Sequence, residues 1–525
     1  MRPRAERYTS GPVTGDKQVR WLPLAFAAAL GAIGLIAGRM EALVAAGVLL
    51  AWFLILLASG RLRDAGAEIV LRRQHYLQMC AQSCVLLYWG WYWRPVYEAL
   101  PMLLAQVLFA YGFDLLLSWS RRERYTLGFG PVPVVFSINL FLWFKAEWFG
   151  WQFAIVGLGL AAKSLIRWER EGRRVHIFNP SSFPLAIASL ALLATGNTGM
   201  TWGPEIASTQ FYPPQMYLLL FLIGLPGQFF FGVTTMTLSA VLSTYLFGLA
   251  YFAATGIYFF YDSYIPIAVF LGMHLLFTDP STSPRTEAGR ILFGCLYGLS
   301  TVALYQVLGS LGLPMFYDKL LQVPVLNLSV RAIDRMANRL APAKLLPQLA
   351  GPARNAAYMG VWAVAFVMMS AAQGVGDRHP GQWMPFWRQA CADKRAYACP
   401  YYADMTLTAC RQGSSWACNE AGLMHLRLAG SGEDSRREDE AGAAEPFERG
   451  CQLGLSAACY NVQVLVTGQG AFRTALPSPE DLPTVLRGSK GPITERDPEK
   501  LVALACQQGW NDVCPTEPAL RGAVQ

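Results

Sequence analysis

Apolar residues fall in long blocks up to about residue 373 and then give way to polar sequence. An α-helix needs roughly 20 apolar residues to cross a bilayer. Twelve candidate spans can be marked, near 21–38, 41–59, 76–93, 98–118, 131–148, 150–166, 181–197, 215–233, 235–258, 264–277, 289–312 and 356–373. The pattern predicts an all-α chain: a polytopic membrane helix bundle followed by a soluble helical tail. The first block follows Arg2, Arg4, Arg7, Lys17 and Arg20 without the compact apolar core and cleavage site of a signal peptide, so it reads as a retained helix.

Two blocks are broken in the same way. Phe178-Asn179-Pro180-Ser181-Ser182-Phe183-Pro184 and Phe277-Thr278-Asp279-Pro280-Ser281-Thr282-Ser283-Pro284 each carry a Pro after an Asn or Asp, a second Pro four residues on, and hydroxyls between. Such a turn stops a membrane helix and offers side chains to the freed backbone groups. The two turns mark a central membrane site, with Asn179, Ser181, Asp279, Ser281 and Thr282 as candidates. Asp114, a carboxylate inside an apolar run, and His274, about one helical turn before Asp279, join them. Asp279 is equally suited to a purely structural cap partnered by Arg285 or Arg290. Cys80 and Cys84 read as helix core, and Trp91, Trp93, Trp143, Trp148 and Trp151 as an interface belt.

Charge sets the orientation. Arg61, Arg63, Arg72 and Arg73, then Arg121, Arg122 and Arg124, then Arg167, Arg170, Arg173 and Arg174 fall in alternate loops, which puts the amino terminus in the cytoplasm. The chain carries a formal net charge of +8, and the excess lies in these membrane-flanking loops, so no nucleic-acid surface is indicated. Gly196–Gln215, with no Lys or Arg, then belongs to the outer face.

Eight of the eleven cysteines lie in the tail as four pairs of identical spacing: Cys391 with Cys399, Cys410 with Cys418, Cys451 with Cys459, and Cys506 with Cys514. Three pairs carry Gly413, Gly454 or Gly509 three residues after the first Cys, and the first pair has Lys394 there. Only His379 and His425 accompany them, without Cys-x-x-Cys spacing, which disfavours zinc. Disulfides, stable in an oxidising compartment such as the periplasm, fit better. Reduced thiols packing a cytoplasmic helical array remain the alternative. These stretches resemble the cysteine-rich form of Sel-one-like repeats, which implies a solenoid of disulfide-bonded helical hairpins and a protein partner on its surface. Gly430–Gly442 and Gly468–Lys500 read as polar inserts.

A periplasmic tail requires an odd number of crossings. The interruptions Gly224-Leu225-Pro226-Gly227-Gln228 and Gly232-Val233-Thr234-Thr235 suggest that 215–258 holds a re-entrant segment, giving about 11 spans. The segment 313–373 then supplies a cytoplasmic basic amphipathic stretch, with Lys319, Arg331, Arg335, Arg339, Lys344 and Arg354, and the last span. The same count puts Asn179-Pro180 inside and Asp279-Pro280 outside, an inverted pair of broken helices. Four regions result: 1–74, a cytoplasmic tail with two helices; 75–312, an inverted-repeat domain; 313–373; and 374–525, the cysteine-rich repeats.

The stretch from Gly224-Leu225-Pro226-Gly227 to Ile265-Pro266-Ile267, then His274 to Gly294, resembles the B subunit of sodium-pumping NADH:quinone oxidoreductase and the D subunit of the Rnf complex. Phe178-Asn179-Pro180 resembles their first repeat. The resemblance covers about residues 75–312. It implies a bacterial inner-membrane subunit of about five helices per inverted repeat that carries flavin and passes electrons among other redox subunits while ions move. Those subunits attach flavin mononucleotide through a Thr of a Ser-Gly-Ala-Thr type motif, where this chain reads Ala194-Thr195-Gly196-Asn197-Thr198-Gly199-Met200-Thr201-Trp202-Gly203. The motif is absent. Thr198, Thr201 and Trp202 are the candidates for FMN or riboflavin there, because glycines allow close approach and an indole can stack on a ring. An ion or solute transporter on the same scaffold, and an assembly scaffold without catalysis, stand as the other readings.

Overall fold

The computed structural model describes residues 19–170, 172–340, 351–428, 433–486, 493 and 495–514. Arg2, Arg4, Arg7, Lys17, Lys344 and Gly430 lie outside the described residues. The chain is mostly α-helical, with two short two-stranded pairs, and it divides into two compact units. The first comprises Met1–Tyr245 and Ile267–Met368, the second Leu246–Pro266 and Met369–Gln525.

The helices of the first unit are α1 (Leu22–Ile36), α2 (Met40–Ala58), α3 (Arg73–Tyr92), α4 (Leu100–Ser120), α5 (Pro131–Asn139), α6 (Gly150–Leu165), α7 (Ser182–Ala194), α8 (Met216–Phe231), α9 (Thr234–Thr255), α10 (Ile267–Leu275), α11 (Glu287–Ser310), α12 (Gln322–Leu340) and α13 (Gly351–Ala371). Helix α9 continues into the second unit, and the last residues of α13 do so as well. Among the described residues four helices, α2, α4, α9 and α11, are long and apolar enough to cross a membrane; α1, α7 and α8 are apolar but shorter. Strand β1 (Ala67–Ile69) pairs in parallel with β2 (Tyr125–Leu127), and β3 (Arg167–Arg170) with β4 (Arg173–His176) in an antiparallel hairpin.

In the 215–258 region α8 runs through Pro226, ends at Gly232 in the left-handed region (φ 65°), and α9 starts two residues later. A left-handed glycine is a common helix stop, and Gly232 makes the turn between the two helices. The segment after residue 313 is also built into the bundle. Val323, Leu326, Val330 and Ile333 of α12 are buried, and the helix packs on α7 and α11, while Val325, Leu328 and Met336 stay exposed.

The broken elements are α5 and α10, each of nine residues, about 14 Å of helix at 1.5 Å per residue. Each is followed by extended chain whose backbone is served by side-chain amides. After α5, Gln152 Nε2 donates to Leu142 O (3.0 Å), Gln210 Nε2 to Leu140 O (2.6 Å), and Gln152 Oε1 accepts from Phe144 N (3.2 Å). After α10, Gln78 Nε2 donates to Leu275 O (3.3 Å), Asn179 Nδ2 to Leu276 O (2.8 Å) and Asn327 Nδ2 to Thr282 O (3.4 Å). Away from water, unpaired backbone groups are expensive, and these amides are what makes the unwound stretches tolerable. Helices α9 and α11 approach closely where Gly294 and Gly298 face Ser239, Ala240 and Ser243; a Cβ at Gly294 would sit 2.2 Å from Met236 O.

In the second unit the tail helices are α14 (Met384–Ala392), α15 (Ala398–Arg411), α16 (Ser415–Leu428), α17 (Glu433–Gln452), α18 (Ser456–Thr467) and α19 (Pro498–Gln507). All four cysteine pairs are closed as disulfides: Cys391 is bonded to Cys399, Cys410 to Cys418, Cys451 to Cys459, and Cys506 to Cys514. The first three tie the end of one helix to the start of the next across a short turn: Cys399 opens α15, Cys418 lies in the first turn of α16 and Cys459 in that of α18. The fourth departs from this hairpin pattern, because Cys514 follows α19 in a turn with no further helix among the described residues. Gly413, Gly454 and Gly509 all have positive φ, and Lys394 adopts the same region at φ 57°. The sequence departure at Lys394 thus keeps the turn at the expense of a strained non-glycine backbone. The stretch 468–486 is not a passive insert. Asp481, 3% exposed, accepts hydrogen bonds from Ser414 Oγ, Ser415 Oγ and Trp416 N at the start of α16 and from Ser478 N and Oγ.

Residues Leu246–Pro266 belong to this unit through aromatic packing. Tyr261 stacks on Tyr401 at 4.1 Å, and Tyr258 and Tyr264 enclose His379 at 4.1 and 5.0 Å. His379 is buried and its Nδ1 accepts from Gly381 N, so the ring is neutral with its proton on Nε2. Burial lowers its pKa from the ordinary 6.5 to about 3. The unfolded chain therefore takes up a proton below about pH 6.5 that the folded unit refuses, and stability present above that pH is lost as the pH falls towards 3. At pH 5 the loss amounts to about 2 kcal/mol. Amide hydrogen exchange of α15 and α16 at pH 7 and pH 5 checks this: His379→Asn, which keeps a cap without titrating, should lack the wild-type loss. An equal loss in both proteins refutes the assignment.

Candidate functional site

Both proline turns are Asx turns built in the same manner. Pro180 holds Asn179 extended, and Asn179 Oδ1 accepts from Ser181 N, Ser182 N and Ser181 Oγ at 3.0, 3.0 and 2.9 Å, starting α7. Asp279 Oδ1 accepts from Ser281 N at 2.9 Å, and its carbonyl accepts from Ser283 Oγ at 2.5 Å. Gly159 of α6 lets the first turn come close, since a Cβ there would meet Pro180 O at 2.2 Å.

The two turns meet. Asn179 donates to Leu276 O just before the second turn, and His176 Nε2 lies 2.9 Å from Asp279 Oδ2. Asn327 of α12 accepts from Asn179 N (3.0 Å) and donates to Thr282 O, clamping both turns. Asp334, further along α12, accepts from Arg285 N, Thr286 N and Thr286 Oγ1 and pairs with Arg170 Nη2 at 2.8 Å. The β3–β4 hairpin, the second turn and the last part of α12 therefore share one end of the unit.

A cavity of about 90 Å³ opens between the turns, lined by α3, α5, α8, α10 and both motifs. Asn179, Ser181, His274, Asp279 and Ser281 line it; Thr282 is buried beside it. Its volume suits a few water molecules or a small polar solute. His274 Nδ1 donates to Phe270 O at 2.8 Å, leaving Nε2 as a lone-pair acceptor without a hydrogen-bond partner among the described residues. Gln228 is equally buried, and neither end of its amide has a partner among them. Gly224 makes the space: a Cβ there would meet His274 Cδ2 at 2.8 Å and Gln228 Nε2 at 3.2 Å. Lys163, His75 and His176 complete the lining. Asp279 is paired with His176 and not with Arg285 or Arg290, the cationic partners expected from sequence. Buried polar groups left unpaired are costly, and here they point to an occupant that hydrogen-bonds in both senses.

Other candidates lie elsewhere. Asp114 does not line the cavity; Lys163 and Arg167 are its opposing charges, whereas Arg94 sits over the rings of Trp91 and Tyr97. Thr198, Thr201 and Trp202 lie beyond the far end of α7, a 13-residue helix. Thr201 is buried and its hydroxyl donates to Thr198 O. Thr198 is half-buried, and Trp202 is exposed with Lys145 Nζ 5.3 Å from its ring centroid. Beside them Trp89, Trp93 and Trp143 stack at 5.0 to 5.7 Å, so Trp143 and Trp93 belong to an inner cluster while Trp91, Trp148 and Trp151 are exposed. Cys80 and Cys84 are exposed, not core. Among the described residues no group of three or more His, Cys, Asp or Glu side chains is placed to hold a metal ion.

Sequence reasoning missed His75, Lys163, His176, Gln228, Asn327 and Asp334. The available signal was the set of isolated Gln, Asn and His residues inside apolar runs. No protein-family model, curated protein or solved structure matches the chain.

Proposed function

We propose that the protein is a polytopic inner-membrane subunit of a redox-driven electron-transfer complex, in which the cavity between the two broken turns passes a proton, ion or small polar species. The observation that carries this reading is the convergence of both turns on one buried cavity with unpaired His274 and Gln228. Helices α3 to α7 and α8 to α12 form two five-helix sets, each with a nine-residue half-helix third in order. This supports an inverted repeat with its site between the halves. In this reading about 11 spans cross the membrane, with the amino terminus in the cytoplasm and the tail in the periplasm. The arginines of the β3–β4 hairpin and α12 gather at the cytoplasmic end, and four tail disulfides fit an oxidising compartment.

The redox part rests on the resemblance of residues 75–312 to quinone-oxidoreductase and Rnf subunits. A flavin held at Thr198 and Trp202 would supply one- and two-electron transfer. Lys145 would balance an anionic group there, and the tryptophan cluster would shield it. The periplasmic solenoid offers a surface for a protein partner. Purification in mild detergent tests this: a flavin band near roughly 450 nm and co-purifying redox chains are expected. A colourless protein without such partners leaves the transporter reading, which the same cavity favours.

A further inference from the structure

The unmet groups of the central cavity select among the species it passes, given the membrane-site reading above, on which this rests. His274 and Gln228 both line the cavity and are 3% and 2% exposed. The His274 tautomer is fixed, because Nδ1 spends its proton on Phe270 O at 2.8 Å, so Nε2 accepts and does not donate. The Gln228 amide brings donors and an acceptor, and none is met among the described residues. An occupant that serves both side chains donates to His274 Nε2 and to Gln228 Oε1 and accepts from Gln228 Nε2. Water does this, and the cavity of about 90 Å³ holds about three molecules at the density of the liquid.

A metal cation needs several oxygen atoms in place of its hydration shell. The unmet groups here supply one, Gln228 Oε1, beside a ring nitrogen. Asn179 Oδ1 already takes three donors, and the two oxygens of Asp279 meet Ser281 N and His176 Nε2. Lys163 adds positive charge to the wall: a Cβ at Gly130 would lie 3.6 Å from its Nζ and 3.2 Å from His75 Cε1, so the ammonium and that ring stand together. We propose that the species passed is a proton, carried on water that His274 and Gln228 hold and exchanged with the His176–Asp279 pair. Nε2 and Oδ2 of that pair are 2.9 Å apart. Neutral imidazole beside carboxylate takes one proton from the water to become imidazolium beside carboxylate, then hands one proton on, and no electron moves. His75 and Lys163 are the other titratable side chains facing the pair across the cavity besides His274, and Lys163 offsets the Asp279 charge. His274 works as an acceptor that orients water, a positioning residue.

The test uses the full chain in proteoliposomes, with internal pH and sodium uptake followed in parallel. Wild type should pass protons and not sodium. Gln228→Leu exchanges an unmet buried amide for an apolar group, so it should fold at least as stably as wild type. Its proton flux should nevertheless fall about tenfold or more. His274→Leu should lose flux to a similar extent, and His274→Gln, which supplies an acceptor that does not titrate, should restore most of it. Sodium flux without proton flux in wild type, abolished by Asp279→Asn, overturns the proton assignment and leaves the membrane site standing. Full proton flux in Gln228→Leu, or equal loss in His274→Leu and His274→Gln at wild-type unfolding temperature, overturns the water-holding role. Absence of any flux in wild type overturns this proposal together with the reading it rests on.

Discussion

Replacing Asp481 with alanine should destabilise the cysteine-rich unit by about 3–5 kcal/mol, the range for truncating a buried, hydrogen-bonded charge. Its carboxylate receives Ser414 Oγ at 2.8 Å, Trp416 N at 3.1 Å and Ser478 Oγ at 2.7 Å. Losing it strands a buried amide at the first turn of α16 and releases the 468–486 stretch from the helices. That stretch also receives Trp416 Nε1 at Ala475 O, and Arg473 N donates to Asn461 Oδ1. The disulfides, above all Cys410 to Cys418 at the start of α16, will limit how far the chain unravels, so the effect appears as local opening. Hydrogen exchange of the peptide covering α16 reads it directly. Protection within about 1 kcal/mol of wild type would mean that the helices stand without the stretch.

The second large effect is expected at Asn179. Alanine there removes the donor to Leu276 O and the acceptor of Ser181 N and Ser182 N, all within the bundle. With these buried backbone groups left without their partner, the cost should reach about 3 kcal/mol. Aspartate tests which half of the amide matters: it keeps the acceptor but turns a carboxylate towards the Leu276 carbonyl, so it should also destabilise. A thermal shift in detergent measures both. An unfolding temperature within a degree of wild type for Asn179→Ala would contradict the clamp.

How far the sequence carried the architecture depends on the kind of signal. The Asx-Pro turns were legible because Asn179-Pro180 and Asp279-Pro280 fix local geometry through near-neighbour hydrogen bonds. The cysteine pairing was legible because one spacing occurs four times, from Cys391 and Cys399 through to Cys506 and Cys514. Helix α12 was not legible as part of the bundle: Arg331, Asp334, Arg335 and Arg339 dilute its hydropathy, and only the buried Val323, Leu326, Val330 and Ile333 reveal a packed face. The amides that serve the unwound chain, Gln78, Gln152, Gln210 and Asn327, come from helices distant in sequence, and no local pattern announces them.

The central claim is that Asp279 and its neighbours form a working membrane site and not merely a structural joint. Asp279→Asn separates the two, because an amide keeps the acceptor for Ser281 N and can still meet His176 while removing the charge. Proteoliposomes of wild type and variant, matched for elution profile and unfolding temperature, are loaded and assayed for proton, sodium and small-solute flux. At least a tenfold loss of a wild-type flux in the folded variant is the predicted result. Flux unchanged for every species tested would contradict the account.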